Sequence, residues 1–297
     1  MFYEIAALGA AFCWALSGVI SAEPARRLGP FAFGACRHSM VAAALIALTL
    51  ATGGWRALDP HEIALLAASG FVGIFLGDTL LFLTMVRLGP RRTGALFALN
   101  APMAAILGWL VLGETLTAPD WAGVALCASG VAVSVLGRGG QGAGHALEAV
   151  RGPVGLGVAF GLLAALGQAG GSLIVRPVMA AGGVDPLTAS LVRVCTAALC
   201  LTATVALPMR AVRPHSALTW RLAGQVAASG LIAMLVGMGL LLYALGGGQV
   251  GIVSTLSAVS PVMILPMLWA RTGAVPAPAA WGGAALAVGG MALLFLG

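Results

Sequence analysis

Nine Asp and Glu residues are spread through this chain, and only Asp78 stands well inside an apolar run. Glu4, Glu23, Asp59, Glu62, Glu114, Asp120, Glu148 and Asp185 all fall at the ends of such runs or between them. An ionisable group within a hydrophobic segment is costly to place, so it faces a cavity or a partner. Arg37 and Asn100 lie inside apolar runs of their own, the second beside Pro102. Counted from the ends of their runs at 1.5 Å per helical residue, Asp78 is ~13 Å deep and Arg37 ~10 Å deep. Asn100 falls at a similar depth. One reading is a polar cluster on a cavity wall in which Arg37 pairs with Asp78. The other is an ion pair that only ties two helices together.

A second set of residues is neutral. Trp14 and Ser17 share one run; Phe82 follows Asp78 by four positions and Phe97 precedes Asn100 by three, so each shares a helical face with its polar neighbour. Gln168 and Ser172 stand four apart, Tyr243 lies near the end of a later run, and Ser254, Ser257 and Ser260 recur every third residue. Aromatic rings with a few hydroxyls and amides suit a cavity for small amphipathic solutes. Serine is equally common where membrane helices pack.

Other chemistries find no support. There is no Gly-x4-Gly-Lys-Ser/Thr phosphate loop, and all 15 basic residues are arginine, which excludes an ATP-driven pump within this chain. His38, His61, His145 and His215 have no metal-ligand spacing, so neither a metal nor another cofactor is expected. No cluster of His, Asp and Ser near one interface suggests a hydrolase, and no catalytic residue is assigned. Cys13, Cys36, Cys127, Cys195 and Cys200 all lie in apolar runs and read as small buried hydrophobes.

The elements that must position these groups follow from composition. The 297 residues are 60% hydrophobic and only 8% charged, against about a quarter charged in an average soluble chain. A bilayer is the solvent that fits, at ~20 apolar residues per crossing. Segments bounded by Pro, Gly and charge predict helices near 3–22, 31–52, 61–86, 92–112, 118–137, 153–176, 186–207, 218–245, 250–270 and 278–296. The first reads as an uncleaved helix, since no basic residue precedes it.

The second half repeats the first. Pro30-x6-Arg37 opens the second predicted helix and Pro186-x6-Arg193 the seventh. Gly77–Gly137 and Gly237–Gly297 have equal length; Trp121-Ala-Gly123 matches Trp281-Gly-Gly283, and Gly130 matches Gly290. Five helices per repeat is odd, so the second copy enters from the opposite side. The expected fold is therefore an all-α integral membrane protein, with ten transmembrane helices as two inverted five-helix repeats around a central cavity. Its parts are a first repeat at 1–137, a cytoplasmic linker at 138–152 and a second repeat at 153–297. Inverted repeats are the mark of secondary transporters, with a site near midplane. Met238 stands where the second half would repeat Asp78. Arg193 thus has no obvious acid partner and is expected to snorkel outward.

Arginine sets the orientation. The connections following odd-numbered helices hold eleven, and the opposite side, with both termini, holds Arg56 and Arg176. The positive-inside rule then makes both termini periplasmic in a bacterial-type inner membrane. The basic pI of 9.7 comes from these flanking charges, so no nucleic-acid partner is expected. The partners are a small-molecule substrate and the lipid bilayer, and a monomer suffices.

Gly113-Glu114 with Leu116-Thr117, then Trp121-Ala-Gly123 and Gly130-Val131, together with Pro30-x6-Arg37 and Trp14, resemble the EamA domain of the drug/metabolite transporter superfamily. The resemblance covers the chain as two such halves, although Thr272-Gly273-Ala274 replaces the Gly-Glu pair in the second. Within that family the chain is most similar to YddG-type inner-membrane exporters of aromatic and other neutral amino acids. The resemblance implies secondary export by alternating access. A proton carrier needs a titrating group in the membrane; because Arg37 beside Asp78 favours the charged carboxylate, export is expected to be uncoupled from protons. The alternative is a proton-coupled drug or nucleotide-sugar antiporter that uses Asp78.

Overall fold

The computed structural model describes residues 2–113, 115–136, 149–209, 212–245, 256–257 and 259–296, and among them every regular element is helical. Helices satisfy their own backbone groups, which a segment surrounded by hydrocarbon requires. The first half comprises α1 (Phe2–Leu28), α2 (Pro30–Thr52), α3 (Pro60–Ser69), α4 (Gly77–Leu88), α5 (Pro90–Phe97), α6 (Asn100–Leu112) and α7 (Ala118–Leu136). The second comprises α8 (Val154–Ala181), α9 (Pro186–Ala206), α10 (Trp220–Leu231), α11 (Met238–Leu245), α12 (Ser260–Thr272) and α13 (Pro278–Leu296). A π-helical stretch, Gly70–Leu76, joins α3 to α4, and another, Ile232–Gly237, joins α10 to α11.

Eight of the described helical stretches are long and apolar enough to cross a membrane, among them Pro60–Leu88 and Trp220–Leu241, which run through the π segments. Large apolar side chains such as Leu50, Leu110, Leu199 and Trp220 stand exposed on the outside. Water would penalise that surface and lipid does not. The protein is a multi-pass membrane protein.

Most helix ends fall within a few residues of the sequence expectation, with three instructive differences. The first helix was expected to end near residue 22 but runs to Leu28 through Pro24. Proline inside a helix removes a hydrogen bond and costs ~3 kcal/mol. Here Ala22, Ala25 and Leu28 are buried with Phe33, Phe82 and Val226, and that packing holds the last turn in place. The sixth helix likewise continues past 176 to Ala181, through Pro177. The fourth expected helix is broken into α5 and α6 at Ala98–Leu99.

Two connections reverse the chain through a single glycine. Gly29 and Gly89 have φ of 83° and 82°, which L side chains avoid, and Pro30 and Pro90 follow as the first helical residues. Leu28 and Leu88, just ahead of them, are buried.

The halves pack on each other reciprocally. α1 lies against α10, α11 and α12, while α8 lies against α3, α4, α5 and α6. α2 packs on α9, and α7 on α13. A Cβ at Gly123 would stand 2.7 Å from the Gly290 carbonyl oxygen, and one at Gly130 2.6 Å from that of Gly283, so α7 and α13 run antiparallel with their backbones almost touching. Small residues allow that approach. A Cβ on Gly70 would meet the Arg193 backbone at 2.4 Å, and one on Gly230 would meet Arg37 Cγ at 3.2 Å.

Candidate functional site

α2 and α4 bring three ionisable groups together. Asp78, one residue into α4, sits 3.5 Å through Oδ2 from Arg37 Nη1 and 2.9 Å from His38 Nε2. All three residues are buried: Arg37 is 6%, His38 1% and Asp78 8% exposed. The expected Arg37–Asp78 pair is thus present, but sealed from solvent in this conformation rather than lining an open wall. Aromatic rings close it on one side. Arg37 lies over the Phe82 ring at 5.6 Å, and Phe82 meets Phe33 edge to face at 4.7 Å.

His38 was considered in the sequence only as a metal ligand, and its real role is different. Nδ1 is 2.8 Å from the Gly34 carbonyl, which only accepts, so Nδ1 carries a hydrogen. Nε2 and the Asp78 carboxylate then need one proton between them. Either the imidazolium donates to the carboxylate or the protonated acid donates to the neutral ring. Both descriptions hold one proton at the same place.

Arg193 corrects the snorkelling expectation. It is partly exposed, but it turns inward along the π segment, with Nη2 3.4 Å from where a Cβ on Gly73 would be, and it lies within electrostatic reach of Asp78. Its Nε is buried without a hydrogen-bond partner, as is that of Arg37. Among the described residues Arg193 makes no hydrogen bond and no ion pair closer than 4 Å. Two guanidinium groups therefore share the field of one carboxylate. Such groups in a membrane interior mark functional sites. π-helical segments often do as well, and the Gly70–Leu76 segment passes beside Arg193.

The remaining expected site residues fall into two groups. Several bind backbone carbonyls across the two halves. Trp14 Nε1 donates to Ala233 O at 3.2 Å, Ser17 Oγ to Ser229 O at 2.7 Å, and Ser260 Oγ to Ala11 O at 3.1 Å. Ser257 is buried beside Ser260 and its carbonyl accepts from it. These contacts clasp α1 against α10 and α12, and they spend the hydroxyls on packing. The others lie away from the ion cluster. Asn100 donates to Phe97 O at 2.6 Å and caps the break between α5 and α6, so it does not join Arg37 and Asp78. Gln168 runs its backbone past Gly77, next to Asp78. Ser172 is exposed and bonded within its own helix. Tyr243 is 58% exposed and stacks on Tyr3 at 5.4 Å. Ser254 lies outside the described residues. The five cysteines are free thiols.

Among the described residues no group of His, Cys, Asp and Glu could hold a metal ion. What the site can do is hold a proton between His38 and Asp78 and offer unpaired guanidinium donors to an anion.

The profile of the EamA-like transporter family matches residues 1–136 and 155–296. No curated protein matches the sequence significantly. In shape, the chain is similar to a protein known from a crystal structure, with 21% identity and a TM-score of 0.69 over 99% of this chain and 96% of the other. That likeness concerns the fold alone.

Proposed function

We propose a function from one premise: the chain belongs to the EamA-like transporter family. Its members carry small substrates across membranes. We infer that this one is a secondary transporter of ten crossings, built as inverted repeats at 1–137 and 153–297 joined by a cytoplasmic linker, and that it exports aromatic and other neutral amino acids by alternating access. Inversion is supported by the reciprocal contacts: Gly70 on Arg193 mirrors Gly230 on Arg37, and the matching helices α7 and α13 run antiparallel. The arginine asymmetry supports periplasmic termini in an inner membrane. The preference for amino acids rests on the family resemblance, and the Phe33–Phe82 pair against a guanidinium is compatible with it.

The observation that carries the reading is the buried Arg37–His38–Asp78 cluster with Arg193 beside it, at the contact between α2 and α9. Ionisable groups are kept inside a membrane bundle when transport uses them. The test is efflux from sealed liposomes, with competition by neutral amino acids, nucleosides and cationic drugs. Saturable efflux competed by neutral aromatic amino acids supports the reading, and competition by nucleosides or drugs alone overturns the substrate assignment.

A second reading is favoured by the His38–Asp78 hydrogen bond, which holds one proton inside the membrane. In that reading the protein is a proton-coupled antiporter. Collapsing the pH gradient separates the two: uncoupled export continues, and antiport stalls. Asp78→Asn would then lose proton movement together with uphill flux.

A further inference from the structure

We propose that Arg193 receives the carboxylate of the transported solute, so that the substrate supplies the counter-charge that Met238, at the position equivalent to Asp78, does not. The inference rests on the transport reading above and adds to it the anionic group by which the solute is held.

The argument starts from the two arginines. Arg37 and Arg193 stand at the same distance behind the prolines that open α2 and α9. Arg37 has Asp78 at 3.5 Å. At the place in α11 that corresponds to Asp78 the chain has Met238, which cannot neutralise anything. His38 likewise corresponds to Val194. Arg193 therefore keeps a full charge with no hydrogen-bonded partner, its Nε sealed from solvent. The one carboxylate within electrostatic reach is already engaged by Arg37 and His38.

Charge counting gives the same result. Two guanidinium groups and a His38–Asp78 pair that shares one proton leave the cluster positive whichever member holds the proton. A buried positive excess is unfavourable in a medium of low dielectric. A carboxylate brought by the solute relieves it and completes the donor set, since a guanidinium fork matches a carboxylate in two hydrogen bonds. Arg193 is partly exposed, and it takes no part in the Arg37–Asp78 pair, so a ligand on it leaves that pair intact. Gly73 lies beside the guanidinium, and a Cβ there would stand 3.4 Å from Arg193 Nη2 and 3.2 Å from Gly171 Cα. Chloride or a phosphate could answer the same charge, and the test separates these from a carboxylate.

The test uses the full chain purified in detergent and calorimetric binding of phenylalanine and leucine, each against its carboxamide, with chloride and inorganic phosphate as further probes. The expected result is that each acid binds about 10- to 100-fold more tightly than its amide, the usual worth of a charged hydrogen bond. Arg193→Gln should remove that discrimination, and Arg193→Lys should keep part of it. An amide that binds as well as its acid in the unaltered protein overturns the proposal without any variant. So does discrimination that survives Arg193→Gln in a monodisperse preparation, or chloride or phosphate competing as well as the acids. Liposome flux tells the two claims apart. Flux of phenylalanine that ignores its carboxylate overturns the role of Arg193 and leaves the transport reading standing. Neither binding nor flux for any acid overturns both.

Discussion

Arg37 and Arg193 begin from the same local sequence and end in different chemistry. Both follow a proline by seven positions, and each lies against a glycine at the edge of the opposite half's π segment, Gly230 for Arg37 and Gly70 for Arg193. Arg37 is enclosed with His38, Asp78 and two phenyl rings. Arg193 meets backbone and an unmatched charge. The same spacing thus carries one arginine into an ion cluster and the other to a place where its buried Nε has no hydrogen-bond partner.

The comparison breaks most visibly at the acid. Asp78→Leu leaves Arg37 and Arg193 without any carboxylate, and removing one partner of a buried pair costs about 3–5 kcal/mol. Its counterpart Met238→Leu conserves volume and charge and should cost less than about 1.5 kcal/mol. Thermal unfolding in detergent reads both; equal losses would show that Asp78 is not the keystone of the cluster.

The glycine contacts give the next largest effect. A Cβ on Gly70 meets main-chain atoms of Arg193 at 2.4 to 2.9 Å, whereas one on Gly230 meets Val41 Cγ2 at 2.7 Å and the side chain of Arg37. Side chains move aside more readily than backbone. Gly70→Ala should destabilise by about 1–3 kcal/mol, as overpacking does, and Gly230→Ala by less. Denaturant titration of the two variants checks the order.

Ser69 and Ser17 sharpen the comparison by equality. Ser69 Oγ donates to Gly171 O at 2.7 Å and Ser17 Oγ to Ser229 O at 2.7 Å, each linking one half to the other. Either alanine variant should cost about 1 kcal/mol in the same titration, because each leaves a buried carbonyl short of one donor. A loss in one variant alone would show that the two clasps are not equivalent.

The helix starts give the smallest difference. α9 is capped by Asp185, which accepts from the backbone N–H groups of Leu187 and Thr188, while α2 begins at Gly29 with no side-chain cap. Burial alone would raise the Asp185 carboxyl, but the Thr188 side chain beside it and the hydrogen bonds from the Thr188 and Leu187 backbone N–H groups outweigh it and hold it below the usual aspartate value. A lowered folded value stabilises above the unfolded pKa of about 3.9 and is lost as pH falls through the folded value. Asp185→Asn keeps the cap and should cost only a few tenths of a kcal/mol near neutrality. That gap should close in unfolding measured at a pH low enough to protonate the folded carboxyl, since only the ionised form gains from the cap.

Much of the scaffold was readable from the sequence, and the charged site only in part. Prolines and glycines mark most helix ends because they act locally, and the departures at Pro24 and Pro177 arise where distant packing overrides local preference. Arg37 and Asp78 could be paired from depth alone, since few charges lie inside the apolar runs. His38 has no metal-ligand spacing, yet its place next to Arg37 is a usable signal. The inward turn of Arg193 follows from its contact with Gly70 and Gly73 in the other half's π segment, which no spacing within its own half records. Trp14, Ser17 and Ser260 have the composition of a binding wall, yet their donors go to carbonyls on neighbouring helices.

The account depends most on the two halves crossing the membrane in opposite senses, because only then do equivalent arginines reach one carboxylate from opposite faces. In a background where the five native cysteines are alanine, single cysteines replace His61 and Leu218, exposed residues at the matching starts of α3 and α10. A membrane-impermeant maleimide is then applied to intact cells. Labelling of the His61→Cys protein from outside, with Leu218→Cys labelled only after permeabilisation, is the predicted result. Labelling of both from the same side would contradict it.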